Sequence, residues 1–258
     1  MNANSKPLIL ISNDDGYSAK GITALIEAVQ PLGELIVMAP DGPRSGYAGS
    51  ITTSSILTAQ LVRKEDDLTV YKCSGTPVDC IKLALNSYVP RKPDLILGGI
   101  NHGDNSSVNV HYSGTMGIPI EGCMKGVPSI GFSLCNLSWD ADFSATIPIV
   151  RKLSEKVLKE GLPEGVCLNV NIPDLKEFKG VKVCRQSKSI WDKEYVEKIH
   201  PRGSKYYWLH FDFLNLEPDA EDTDRWALKN GYVSITPTKV DVTAYEAMKN
   251  LESFNTDF

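Results

Sequence analysis

The sequence predicts a three-layer α/β fold built on a mostly parallel sheet, and three observations carry that expectation. Short apolar runs recur along the chain, Leu8-Ile9-Leu10-Ile11, Leu35-Ile36-Val37-Met38 and Leu95-Ile96-Leu97, as in strands buried on both faces. Between the first two lies a stretch with helical spacing, which makes a strand–helix–strand unit with a right-handed parallel crossover. Each run also ends in turn residues or glycines, at the carboxyl edge where open α/β sheets bind their ligands.

The first run meets Asn13-Asp14-Asp15-Gly16. Two adjacent carboxylates repel, so one takes a proton or a cation lies between them. A purely local alternative is an Asx-type turn at the start of the next helix. Ile22, Leu25, Ile26 and Val29 mark one face of that helix, which ends near Pro31-Leu32-Gly33. After the second strand, residues 41–50 are rich in Gly, Pro and Ser and read as a loop at the same sheet edge.

Residues 51–62 and 68–73 read as two further strands, with Lys64-Glu65-Asp66-Asp67 as the turn between them. Thr76 is a good N-cap for a helix with Pro77 first and Asp79 in its opening turn. Cys80, Ile81, Ala84 and Leu85 would form its buried face. The strand that begins after Pro93 runs through Gly98-Gly99 and brings Asn101 to the carboxyl edge. Tyr112-Ser113-Gly114-Thr115 opens a helix containing Glu121, offering hydroxyls and backbone N–H groups that suit an anion or an ordinary cap. Pro119 conflicts with a regular helix there, so either the helix begins after Thr115 or its first turn is distorted.

Residues 127–134 give another strand, followed by a helix with Ile149 or Val150, Leu153, Val157 and Leu158 inside. Residues 166–173 alternate in polarity and suggest a strand nearer the sheet edge, and Val181 to Cys184 a last core strand. From Arg185 the pattern changes. Trp191, Tyr195, Tyr206, Tyr207, Trp208, Phe211 and Phe213 interleave with charge, as in a projecting β-arm that packs on a neighbouring subunit or in a small self-contained β-layer on the core. Glu217 to Asp224 reads as a solvated acidic loop, Tyr232 to Pro237 as a closing strand, and Thr243-Ala244-Tyr245-Glu246 as a capping box for a short terminal helix. The expected organisation is one domain over 1–258, with a core of about 6–185 and an arm and tail of about 186–258 that join copies of the chain.

Composition narrows the function. A net charge of −5 argues against a nucleic-acid polymer, which is gripped through Lys and Arg. No stretch approaches a membrane span, and Met1 to Pro7 has no signal pattern. Six cysteines without Cys-x-x-Cys spacing suit a reducing compartment, so the expectation is a cytoplasmic protein. Asp14, Asp15, Ser45 and Asn101 all fall on loops at one sheet edge, with Ser113-Gly114-Thr115 close behind. That all-oxygen set suits Mg²⁺, Mn²⁺ or Ca²⁺ and not zinc, and the four histidines lack ligand spacing.

These motifs, in order, resemble the stationary-phase survival protein SurE family. They are Asn13-Asp14-Asp15-Gly16, Ala39-Pro40-Asp41 with Arg44-Ser45, Gly75-Thr76-Pro77-Val78-Asp79-Cys80, Gly99-Ile100-Asn101-His102-Gly103 with Asn105, and Tyr112-Ser113-Gly114-Thr115. The resemblance continues through Arg185-Gln186-Ser187, Trp191, Tyr206-Tyr207-Trp208 and residues 231–237. It implies a Rossmann-like core, a homodimer or homotetramer built through arm and C-terminal helical tail, and a metal-dependent phosphatase acting on nucleoside 5′-monophosphates, with 3′-monophosphates left open. It places one Mg²⁺ or Mn²⁺ per subunit on Asp14, Asp15, Ser45 and Asn101, and phosphate on Ser113, Gly114 and Thr115. Asn13 and Gly46, together with Ser45 and Asn101, complete the expected phosphate set. Gly42-Pro43 and Ile118-Pro119 depart from the commonest family pattern without removing a ligand.

The expected chemistry is phosphomonoester hydrolysis by metal-activated water, with Asp14 and Asp15 catalytic. Two rivals stand beside it. An aspartyl-phosphate route favours Asp-x-Asp spacing, which the contiguous doublet lacks. A non-catalytic nucleotide sensor would bind without turnover.

Overall fold

The computed structural model describes residues 6–210 and 212–256. The expected first unit forms as β1 (Leu8–Ser12), α1 (Lys20–Val29) and β2 (Glu34–Pro40). In β1, Ile9 and Ile11 enter the apolar layer shared with α1, and Leu8 and Leu10 enter the opposite layer. Alternation along a strand thus feeds two cores, which explains why the run carries no polar residue.

The next strand begins later than expected. β3 is Ala59–Glu65 and meets β4 (Leu68–Cys73) across a turn at Asp66-Asp67, while residues 51–58 lie in no strand. There the Thr52 N–H and hydroxyl donate to Asp79, at 3.1 and 2.6 Å, and the Thr76 hydroxyl donates to the Ser50 carbonyl at 2.7 Å. Side chains at a helix start satisfy this backbone, so β-branched residues 51–53 need no ladder. That helix is α2 (Pro77–Ser87), where Thr76 and Asp79 form a reciprocal capping box.

β5 (Leu95–His102) leads to α3 (Gly114–Met124), then β6 (Ser129–Leu134), α4 (Ile147–Glu160) and β7 (Val166–Ile172). The regular helix α3 begins at Gly114, so the late start is ruled out. Ser113 caps it by accepting the Met116 N–H, and Pro119 lies inside it, leaving the Thr115 carbonyl without its usual helical donor.

β8 (Gly180–Val183) is followed by the arm: β9 (Ser189–Asp192), β10 (Tyr195–Ile199), β11 (Lys205–Leu209) and β12 (Asp212–Asn215). β9 pairs with β12, and β10 with β11, as two antiparallel ladders separate from the main sheet. Tyr195, Tyr207 and Trp208 are exposed on this arm, Trp191 stacks edge-on against Phe213, and Phe211 lies outside the described residues.

The chain closes with α5 (Asp224–Lys229), β13 (Tyr232–Lys239) and α6 (Tyr245–Met248). Ala244, not Thr243, holds the N-cap position of α6 and makes no side-chain bond there. Asp241 instead accepts the Thr243 N–H and the Tyr245 hydroxyl, so the expected capping box is absent.

Among the described residues the main sheet runs β3-β4-β2-β1-β5-β6-β7-β13-β8. Strands β4 to β7 in that order are parallel to their neighbours; β3 is antiparallel at one end and β13 antiparallel to β7 at the other. α1 and α4 cover one face, α2 and α3 the other. The chain fills the sheet outward from β1 in one direction, then from β5 in the other, so the switch point lies between β1 and β5.

Two expectations about polarity are corrected. β7 lies inside the sheet and not near its edge, because its alternating Asn169 and Asn171 are buried and hydrogen-bonded. Asn171 Oδ1 accepts the Asn105 N–H at 2.7 Å, and Asn169 Nδ2 donates to the Asn105 carbonyl at 2.7 Å. Asp224, read as part of a solvated loop, is 0% exposed. Its carboxylate accepts the Ser107 N–H at 2.7 Å and the Ser187 N–H at 3.0 Å, tying the loop after β5 to the base of the arm. Asp224→Ala leaves two buried donors unpaired, and urea denaturation is expected to show a loss of about 3 kcal/mol, against little change for exposed Asp219→Ala.

Candidate functional site

The switch point delivers Asp14 and Asp15 just past β1 and Asn101 near the end of β5. Asn13 closes the turn that holds the doublet: its Nδ2 donates to the Gly16 carbonyl at 3.0 Å, and its Oδ1 accepts the Gly16 N–H at 3.2 Å. Gly16 has φ +103°, a conformation a side chain would strain. Asn13, expected among the phosphate-binding groups, is therefore buried and engaged with its own turn.

Asp14 and Asp15 are 4% and 7% exposed. Burial, then the charge of Asp15, pushes the Asp14 carboxyl from its ordinary 3.8 up to about 7. Burial also raises Asp15, against the lowering effect of the His102 backbone N–H, which donates to Asp15 Oδ2 at 3.3 Å. The Thr115 hydroxyl, in the first turn of α3, donates to Asp14 Oδ1 and lies 3.4 Å from Asn101 Oδ1. A methyl on Gly114 would stand 2.9 Å from Asp14 Cβ, so only glycine lets the helix approach this closely. Thr115, Asp14 and Asn101 therefore meet although they come from three separate segments.

Ser45 lies on the loop after β2. The neighbouring Arg44 N–H donates to the Asp14 carbonyl at 2.7 Å, and Ser45 and Gly46 follow, exposed. Ser113 is buried as the cap of α3. The imidazole of His102 turns away: Nδ1 lies 2.8 Å from the Ser138 carbonyl, which fixes the proton on Nδ1, and the ring packs on Trp139 and Phe143.

The donor set fits a hard divalent cation. Two adjacent buried carboxylates, with the Thr115 hydroxyl on Asp14 and Asn101 Oδ1 3.4 Å from that hydroxyl, are oxygen donors of the kind such an ion takes. Sequence reasoning missed three holders of this geometry: Thr115 as a partner of Asp14, the His102 backbone N–H, and Asp224. Only Thr115 had a signal in the sequence, as part of the Ser-Gly-Thr helix start.

Fold and site together define a doubly wound α/β protein with an acidic, all-oxygen centre at its switch point. A family model described as Survival protein SurE matches residues 9–193. A 5′-nucleotidase SurE of Phocaeicola vulgatus is 60% identical over 250 residues, 97% of either chain. That of Bacteroides thetaiotaomicron is 57% identical over 251 residues, again 97% of each. The crystal structure of the SurE protein from Aquifex aeolicus superposes with a TM-score of 0.83 at 40% identity, covering 96% of this chain and 99% of its own. The chain belongs to the SurE family.

The raised Asp14 carboxyl sets a pH dependence for the cation-free chain. Between the unfolded value of 3.8 and the folded value of about 7 the native state holds the extra proton, so its stability falls as pH rises through that window. With EDTA present, the urea midpoint is expected to decline from about pH 4 to about 7, and Asp14→Asn to flatten that decline.

Proposed function

We propose that this chain hydrolyses nucleoside monophosphates to nucleoside and phosphate, the 5′-nucleotidase activity for which its relatives are named. One observation carries the reading: Asp14, Asp15, Asn101 and Thr115 converge at the switch point as an oxygen-only set with two buried carboxylates. Asp14, Asp15, Ser45 and Asn101 would hold one Mg²⁺ or Mn²⁺ per subunit. When bound, such a cation polarises a phosphoryl oxygen and makes water more acidic.

The chain's own groups supply the rest. Thr115 fixes the Asp14 carboxylate in one orientation, with its other oxygen beside Gly114 at the start of α3. One of the two aspartates takes the proton of the attacking water, which needs the raised basicity that burial confers. Ser45, Gly46 and the N–H groups of the Ser113-Gly114-Thr115 turn donate toward the phosphoryl oxygens, where the positive end of α3 favours anionic charge. Asn13 holds the turn that presents both carboxylates.

The same reading makes the protein a single cytoplasmic domain that works as a homodimer or homotetramer. Six free cysteines suit a reducing compartment, and no helix among the described residues is long and apolar enough to cross a membrane. The exposed aromatics of the arm, with Tyr245, Met248 and Phe254 of the tail, supply apolar surface for the contact between copies.

With Mg²⁺ or Mn²⁺, release of inorganic phosphate from nucleoside monophosphates is the deciding assay, and EDTA is expected to abolish it. Asp14→Asn and Asp15→Asn are each expected to lower kcat about a hundredfold or more, with the fold intact by circular dichroism. Near-wild-type turnover in either would remove the assignment. Tyr207→Ser with Trp208→Ser is expected to lower the mass measured by light scattering toward that of a single chain.

A further inference from the structure

The loop 135–146 leaves β6 at the same sheet edge as the acidic doublet, and it carries two large apolar side chains into solvent: Leu137 is 81% exposed and Trp139 61%. Neither is adrift. The Trp139 ring centroid lies 5.4 Å from that of His102, whose backbone N–H holds Asp15. The backbone on one side of Trp139 is pinned by the Ser138 carbonyl on His102 Nδ1, at 2.8 Å, and by the Ser138 N–H on Asn136 Oδ1, at 2.8 Å. On the other side, the Asp140 N–H donates to the Ser138 hydroxyl at 3.2 Å. Leu137 leans over Gly103: the point a methyl there would occupy is 2.6 Å from Leu137 Cδ2 and 4.0 Å from Asn101 Nδ2. An apolar lip thus stands with Leu137 close to the Asn101 amide across Gly103, and with Trp139 packed on the ring of the residue whose N–H holds Asp15.

We propose that this lip is the nucleobase platform, with the base stacked on the Trp139 indole and flanked by Leu137. The inference rests on the phosphomonoesterase reading and names what that site recognises beyond phosphate. A nucleoside monophosphate anchored at the doublet carries its uncharged aromatic end a few ångströms away, and an exposed indole is the strongest stacking surface a side chain offers. Trp139 and Leu137 provide no hydrogen-bonding pattern matched to one base edge. Stacking of this kind accepts every base and favours the larger purine rings. The centre therefore discriminates nucleotides from base-free phosphate esters, and purines over pyrimidines only modestly.

The test uses the full chain with Mg²⁺ or Mn²⁺ and two substrates, adenosine monophosphate and ribose 5-phosphate. Trp139→Ala is expected to lower the ratio of kcat/KM for the nucleotide to that for the sugar phosphate about tenfold, through KM, the size of one lost base–aromatic stack. Trp139→Phe is expected to recover most of the ratio. Adenosine monophosphate should also quench tryptophan emission in the unmodified chain and lose most of that quench in Trp139→Phe. A ratio unchanged in Trp139→Ala overturns the platform. So does a ratio that falls in Tyr112→Ala instead, which would put the base against Tyr112, exposed just before α3. A changed molecular mass in Trp139→Ala with the ratio kept would assign the lip to contact between copies, and also overturns it. An unmodified chain that hydrolyses neither substrate removes the phosphomonoesterase reading itself, and the platform with it.

Discussion

Placing two ionisable carboxylates side by side inside a protein is costly, and the rest of this structure is arranged around tolerating that cost at one point. Asp14 and Asp15 are almost fully removed from water, where each charge would lose several kcal/mol of solvation without compensation. The compensation comes from donors fixed in advance: the Thr115 hydroxyl on Asp14 and the His102 backbone N–H on Asp15. These are too few to satisfy two negative charges, which leaves the doublet ready for a proton or a cation. Sheet topology decides where this happens, since only at the gap between β1 and β5 do loops from both halves diverge and leave room.

A second set of buried polar groups keeps the surrounding loops still. Asn169 and Asn171 occupy positions where a parallel strand would ordinarily carry Val or Ile, and they clamp both backbone groups of Asn105. Ser133 accepts from the Asn105 side chain at 2.8 Å, and Asp224 holds Ser107 two residues on. The polar stretch between Asn101 and Ser113 would otherwise be a mobile surface loop. Bonded from beneath by two strands and from the side by α5, it becomes part of the rigid floor of the site. Because the same carboxylate of Asp224 binds Ser187, the root of the arm and this floor share one anchor.

Exposed aromatics occur in two settings that differ physically. Those of the arm sit on two-stranded ribbons, elements with too little buried surface to be stable alone, and several are open to solvent. Trp139 sits on a loop turned by its own Asn136 and Ser138 bonds and tied to His102 through the Ser138 carbonyl. Rigidity and neighbourhood, more than exposure itself, separate a surface suited to a small planar ligand from one suited to a protein.

Much of this was written plainly in the sequence. Continuous apolar runs gave the buried strands because a strand covered on both faces has no polar side to show, and the Thr76, Pro77 and Asp79 signals gave a helix start because capping is local. Asp14, Asp15 and Asn101 were legible as edge residues, since each follows or ends such a run. Residues 51–58, β7 and Asp224 were not. In each case a polar group bonded at long range stands in for the partner that local rules assume: Asp79 for a strand ladder, Asn105 for solvent on β7, Ser107 and Ser187 for water around an acidic loop. The sequence alone therefore determined the core strands and their first helices and the acidic turn, all consequences of short-range pattern. Tertiary structure alone decided that Thr115 grips Asp14 and that Trp139 packs on the His102 ring, because hydrogen bonds and ring contacts between segments dozens of residues apart leave no periodic trace in the chain.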